Sequence, residues 1–181
     1  GLPTHGYLVA SDSRQIDAQA GIESGGSALL GALAGINMIS GAGMLDFLAC
    51  HSIEKLVIDA EAIASAQRLI SGVQPRTDRL ALAAFAQTGL HGDFLKLKET
   101  RQLFRKEQHF PSAITDRRGE ASPGDILVRA RDRVQALLRS YQKPKIAPAC
   151  EDTLLAIASR YGKAAGLEHL PGIDIPIPFH A

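Results

Sequence analysis

Residues able to do chemistry gather at two places early in the chain. The first holds His5, Tyr7 and Asp12, and the second is Ser40-Gly41-Ala42-Gly43. Between them lie Gln19 and Glu23, four positions apart, a spacing that sets both on one face of a helix. His5 and Tyr7 are two apart, so an extended chain carries them on one side. Each group follows or ends an apolar stretch, and parallel α/β proteins place their chemistry where strands end. Each residue also has a plainer reading. Asp12 suits a helix cap, His5 a hydrogen-bonded strand histidine and Tyr7 a core position. Gln19 and Glu23 in the first turns of a helix suit its dipole, and Gly41 and Gly43 suit a turn.

The elements that must position these residues follow from local pattern. Residues 2–10 read as a strand, and Ser11-Asp12-Ser13 supply turn and N-cap groups. A helix is expected over 14–33. Gly25 and Gly26 in its middle cost about 1 kcal/mol each against alanine, which points to close packing on a neighbour or a broken helix. Gly35 ends it. Residues 36–39 are short and apolar, as in a strand buried on both faces. Ser52 caps a helix to residue 70 with a stripe of Ile53, Leu56, Val57, Ala60, Ile63 and Ala64. Asp59 and Glu61 within it read as structural.

Beyond residue 72 the pattern is helical. Thr77 or Asp78 caps a helix through residue 86, 99–106 form a short helix, and 116–124 are a polar connector. Ser122-Pro123-Gly124-Asp125 opens an amphipathic helix striped by Ile126, Leu127, Ala130, Val134, Leu137, Leu138 and Tyr141. Pro144 and Pro148 separate it from a last helix over 150–165, and the Pro-rich segment 171–178 is extended. The expected organisation is two βα units over 1–72, then helices and an extended tail over 73–181.

Bulk properties exclude several classes. The 181 residues are 45% hydrophobic and 22% charged, which are globular values. A net charge of +1 makes no electrostatic case for nucleic acid or an anionic membrane. Arg101, Arg105, Lys106, Arg117 and Arg118 read as solvated surface. Cys50 and Cys150 form no CxxC, and no Cys/His spacing suits zinc. His91, His109, His169 and His180 have no ligand spacing, and adjacent Cys50 and His51 diverge on a helix. No metal is expected, and a reducing compartment, the cytoplasm, is the default. Apolar runs are broken well before bilayer-spanning length. Gly41-Ala42-Gly43 lacks the third glycine or the Lys-Ser/Thr of a nucleotide-binding loop. The chain opens on Gly1 in what reads as mid-domain sequence, and two parallel strands alone make a poor core. A piece of a longer protein is the expectation.

Three segments then carry a resemblance. Residues 11–23, Ser-Asp-Ser-Arg-Gln-Ile-Asp-Ala-Gln-Ala-Gly-Ile-Glu, resemble the trimethylamine methyltransferase family, as do Ala34 to Leu45 and Glu54 to Glu61. Gly92-Asp93-Phe94-Leu95, Glu99-Thr100-Arg101 and Thr115-Asp116-Arg117 are similar to its C-terminal region. The resemblance implies a (β/α)8 TIM barrel, of which this chain holds the last two βα units followed by a C-terminal helical region. It implies transfer of a methyl group from a methylated or quaternary amine, trimethylamine or glycine betaine in type, to the cobalt of a partner corrinoid protein. No nonstandard residue is present, as in family members that lack pyrrolysine. On this reading His5, Tyr7, Asp12, Gln19 and Glu23 bind substrate through aromatic faces and carboxylates. Ser40, Gly41 and Gly43 let the partner's corrinoid approach closely. The chain itself binds no cofactor, a homo-oligomer stays open, and the isolated chain is expected to be inactive. The rival expectations are a barrel enzyme of another class, such as a metal-independent lyase or hydrolase, and an inert fragment or helical interaction module.

Overall fold

A computed structural model describes residues 1–75, 81–117, 124–142 and 144–170. Thr77, Asp78, Arg118, Ser122, Pro123, His180 and the 171–178 segment lie outside the described residues. By compactness the chain divides into Gly1–Val134 and Gln135–Ala181. All described strands lie before residue 52.

In the first unit, β1 (His5–Tyr7) pairs in parallel with β2 (Met38–Ser40), in the register His5 with Met38 and Tyr7 with Ser40. Leu8 N–H donates to the Ser40 carbonyl at 3.0 Å and extends the pairing by one bond. The crossover that parallel strands need is α1 (Ala18–Leu33). Then β3 (Met44–Leu45) and β4 (Cys50–His51) form an antiparallel hairpin, followed at once by α2 (Ile53–Ile70). Ser52 caps α2 as its sequence predicts, its hydroxyl accepting Lys55 N–H at 3.2 Å.

Helix α1 begins later than the sequence pattern suggests. Its cap is Asp17, whose carboxylate accepts Ala20 N–H at 3.0 Å. Ser11 and Ser13 are committed elsewhere. The Ser11 hydroxyl accepts Ser13 N–H at 3.0 Å, and the Ser13 hydroxyl accepts Gln15 N–H at 3.1 Å. Such local bonds give the backbone an alternative to the helix and hold 11–16 as a structured loop. The helix runs unbroken through Gly25 and Gly26, and a Cβ at either would meet nothing within 4 Å. The close approach is at Gly31 instead, where a Cβ would stand 2.6 Å from Leu8 Cδ1.

The core of this unit is small. Val9, Ala28 and Ala66 are buried together, with Leu8, Ala32, Ile39, Ala42 and Ile63 packed against them, where α1 meets α2. Two expectations change here. β2 is not buried on both faces, because Met38 is 66% exposed and Ile39 only half-buried. Of the expected α2 stripe, Ile63 packs on the core while Ile53 and Leu56 are exposed, and the fully buried residues of the helix are Lys55, Asp59 and Ala66. A charged pair, Lys55 and Asp59, thus lies on the inward face.

Later elements of this unit are helical: α3 (Leu82–Thr88), a 3-10 turn (Phe94–Lys96), α4 (Lys98–Glu107) and α5 (Ile126–Arg139), which runs on into the second unit. Glu61 takes the structural role expected of it, accepting Ser112 N–H at 3.0 Å. Ala130 and Val134 of the predicted α5 stripe are buried, whereas Leu137 and Tyr141 are exposed. In the second unit α6 (Pro148–Ala164) takes Pro148 into its first turn, where a missing N–H loses no helical bond. No helix among the described residues is long and apolar enough to cross a membrane.

Candidate functional site

The segment after β1 is built before it is functional. Val9 sits at φ 66°, left-handed backbone that a β-branched residue rarely adopts. It is held from both sides: its N–H donates to the Ser27 hydroxyl at 2.9 Å, and its carbonyl accepts Lys55 Nζ at 3.2 Å. The reversed backbone at Val9 leads into Ala10, Ser11 and Asp12. Ser11 N–H donates to the Met44 carbonyl at 3.1 Å and Asp46 N–H to the Ser13 carbonyl at 3.0 Å, so the loop is stitched to the β3–β4 hairpin.

Glu23 fastens the same loop from α1. Its Oε2 accepts the Ser11 hydroxyl at 2.6 Å and Asp12 N–H at 2.9 Å, while Oε1 accepts the Gln19 amide at 2.8 Å. The Ser11 hydroxyl, then the Gln19 amide and Asp12 N–H, hold the Glu23 carboxyl below the usual carboxylate range. It is therefore ionised at neutral pH, with both oxygens committed to the loop and to Gln19. The shared helix face predicted for Gln19 and Glu23 is real, and its visible work is anchoring. Asp12, whose N–H is tied down, keeps an exposed carboxylate.

The hairpin carries a feature that residue type did not signal. Its tip passes through three consecutive left-handed residues, Asp46, Phe47 and Leu48, at φ 49°, 54° and 71°. Ala49 N–H closes the turn on the Asp46 carbonyl at 2.9 Å. Left-handed backbone is tolerable for aspartate but costs roughly 1–2 kcal/mol for ordinary L-residues. The result is Phe47, 73% exposed. No period or composition cue could have found it, because its presentation depends on the turn.

These parts meet in an open groove of about 610 Å³, lined among others by Tyr7, Leu8, Asp12, Glu23, Leu30 and Phe47. Two aromatic rings and two carboxylates share an apolar floor. Of the residues picked out by sequence, Tyr7, Asp12 and Glu23 line it. His5 stands beside it, its ring edge-on to Tyr7 with centroids 5.0 Å apart and its Nε2 2.7 Å from the Ser40 hydroxyl. The expected sharing of one strand face by His5 and Tyr7 is what permits that ring contact.

Ser40, Gly41 and Gly43 do other things. Ser40 is engaged with His5. Gly41 has φ 130°, and a Cβ on it would lie 2.5 Å from the Leu8 carbonyl oxygen. Gly43 is buried at φ 83°, its N–H donates to Asp59 Oδ2 at 2.7 Å, and a Cβ would lie 2.6 Å from His51 Nε2. Contacts within this chain account for both glycines. No group of His, Cys, Asp and Glu among the described residues could hold a metal.

The geometry defines a mixed α/β protein whose candidate site lies where parallel strands end, with aromatic and acidic side chains over an apolar floor. Comparison with known proteins gives the relationship. The family model described as trimethylamine methyltransferase (MTTB) matches residues 1–165, and the chain belongs to that family. It is 36% identical over 172 residues to trimethylamine methyltransferase MttB1 of Methanosarcina acetivorans, covering 91% of this chain and 34% of that relative. It is 33% identical over 171 residues to trimethylamine methyltransferase MttB2 of Methanosarcina mazei, with the same coverages. A glycine betaine methyltransferase of Desulfitobacterium hafniense is 29% identical over 173 residues, covering 93% of this chain and 36% of the relative. The chain thus spans about a third of the length of these curated relatives.

Proposed function

We propose that this chain supplies one wall of the amine site of an enzyme that moves a methyl group from a tertiary or quaternary amine to a corrinoid protein. The observation that carries the reading is the strand-end groove, in which Tyr7 and Phe47 offer aromatic faces beside Asp12 and Glu23. A methylated ammonium ion is large, apolar on its surface and charged at its centre. Aromatic faces attract such a cation without demanding hydrogen bonds, and nearby carboxylates add charge complementarity. Glu23 contributes negative field while its oxygens hold the loop. Asp12 is the carboxylate left available to the ligand.

On the same reading the β1–α1–β2 unit is the end of a (β/α)8 barrel. Apolar side chains left in the open away from the groove support this, with Leu33 64% and Met38 66% exposed. The methyl acceptor, a partner's corrinoid, supplies a strong cobalt nucleophile. The residues present do not form a cradle for that group. Ser40 is bonded to His5, and Gly41 and Gly43 are filled from within the chain, so no residue here is assigned to hold it.

The test is methyl transfer by the full-length protein from trimethylamine, glycine betaine and related amines to a Co(I) corrinoid protein. Turnover with at least one amine is expected. Tyr7→Ala and Phe47→Ala should each raise KM about 5- to 30-fold, the loss of one cation–aromatic contact. No turnover with any amine by folded protein sinks the reading. The 181-residue chain alone should be inactive, because its groove is open along one side.

A further inference from the structure

We infer that Lys55 and Asp59 are positioning residues for the strand-end site: one buried knot holds the chain after both parallel strands in the geometry the groove requires. The inference rests on the proposed placement of the site at those strand ends.

The two side chains lie one turn apart on α2 and are 1% and 2% exposed. Lys55 is the largest fully buried side chain among the described residues. An ammonium group has three protons, and each has a partner: Asp59 Oδ2 at 2.5 Å, the Ser24 hydroxyl at 2.7 Å and the Val9 carbonyl at 3.2 Å. Asp59 Oδ2 also accepts Gly43 N–H at 2.7 Å. The knot therefore reaches Val9, two residues past β1, and Gly43, three residues past β2. The Ser24 hydroxyl, 3.3 Å from the Val9 carbonyl, adds a tie from α1.

Stability alone does not call for this arrangement. Burying two ions costs desolvation that their attraction barely repays, and well-packed apolar pairs of similar volume are often as stable. An apolar pair, however, has nothing with which to hold a carbonyl or an N–H. Left-handed backbone at a β-branched residue persists only where its surroundings over-determine it, and Val9 is the residue so held. Release of its carbonyl lets φ return to the negative region and swings Ala10–Asp12, the groove's acidic rim, away from Tyr7. Lys55 and Asp59 touch no substrate on this account; they act through Val9 and Gly43.

The decisive experiment is the double substitution Lys55→Met with Asp59→Leu in the full-length protein, read by Tm, by amide hydrogen exchange at Gly43 and residues 8–12, and by methyl-transfer kinetics. The expected result is near-normal Tm, lost protection at these amides, and a ~100-fold fall in kcat with KM changed less, as misplacement near reacting atoms produces. Recovery of kcat together with Tm overturns the inference. If the wild-type protein turns over no amine, the proposed function fails while exchange still decides this question: unchanged protection in the double variant overturns it. Should the double variant not fold, Ser24→Ala takes its place. Faster exchange at 8–12, about 5-fold, supports the inference, and unchanged exchange and turnover overturn it.

Discussion

Two helices each use a carboxylate to hold the chain that follows a strand, and they do it in opposite surroundings. In α1, Glu23 is half-exposed and gathers neutral donors from Ser11, Asp12 and Gln19 at the edge of the groove. In α2, Asp59 is buried and answers a buried ammonium while taking Gly43 N–H. The first arrangement is adjustable, since water can replace any donor it loses. The second is all-or-none, since a charge deprived of its partner has no solvent to turn to. One rim of the site can therefore be tuned, and the frame beneath both rims cannot.

The largest effect should come from breaking the buried knot on one side. Lys55→Met leaves Asp59 as an uncompensated buried carboxylate and should lower stability by about 3–5 kcal/mol. Denaturant unfolding of the full-length protein and its variant measures this. A loss as small as that of a surface ion pair such as Arg14–Asp46, at 3.1 Å with Arg14 exposed, would erase the contrast between the two helices.

That contrast marks what local sequence can express. The Ser52 cap, the extent of α2, the strand–helix–strand order and the joint face of His5 and Tyr7 are set by neighbours a few residues apart, and they were legible. Lys55 finds its partners 31 and 46 positions away, so periodicity put Ile53 and Leu56 in the buried stripe of α2 beside Ile63 and left Lys55 out of it. An i,i+4 Lys–Asp pair was the available signal, but such pairs are ordinarily solvated. The start of α1 was misplaced for a similar reason, because the Ser11 and Ser13 hydroxyls serve loop bonds that compete with a cap. Tyr7, Asp12 and Glu23, picked out by type and position, do line the groove. Phe47 was not legible, since three left-handed residues in a row follow from no propensity.

The adjustable helix should show itself through pH. The Glu23 carboxyl is held below its ordinary value of 4.5, so its ionised form is the one that stabilises the fold. That contribution is complete above the unfolded value and fades as pH falls through the lower folded value. Glu23→Gln should therefore lower Tm at neutral pH, and the gap to wild type should narrow as pH falls below 4.5. A gap that widens with acid would reverse the assignment and place the stabilising contact on the protonated form.

The smallest effect separates the two glycines of α1. Neither Gly25 nor Gly26 meets another group where a Cβ would stand, so alanine at either fits and removes backbone freedom from the unfolded chain. Each substitution should raise stability by about 0.5–1 kcal/mol. Gly26 lines the groove and Gly25 does not. Gly25→Ala should leave KM for the amine unchanged, while Gly26→Ala adds a methyl group to the groove wall and shifts KM. Equal KM values in the two variants would move the ligand off the α1 side of the groove and leave that helix with anchoring as its only task.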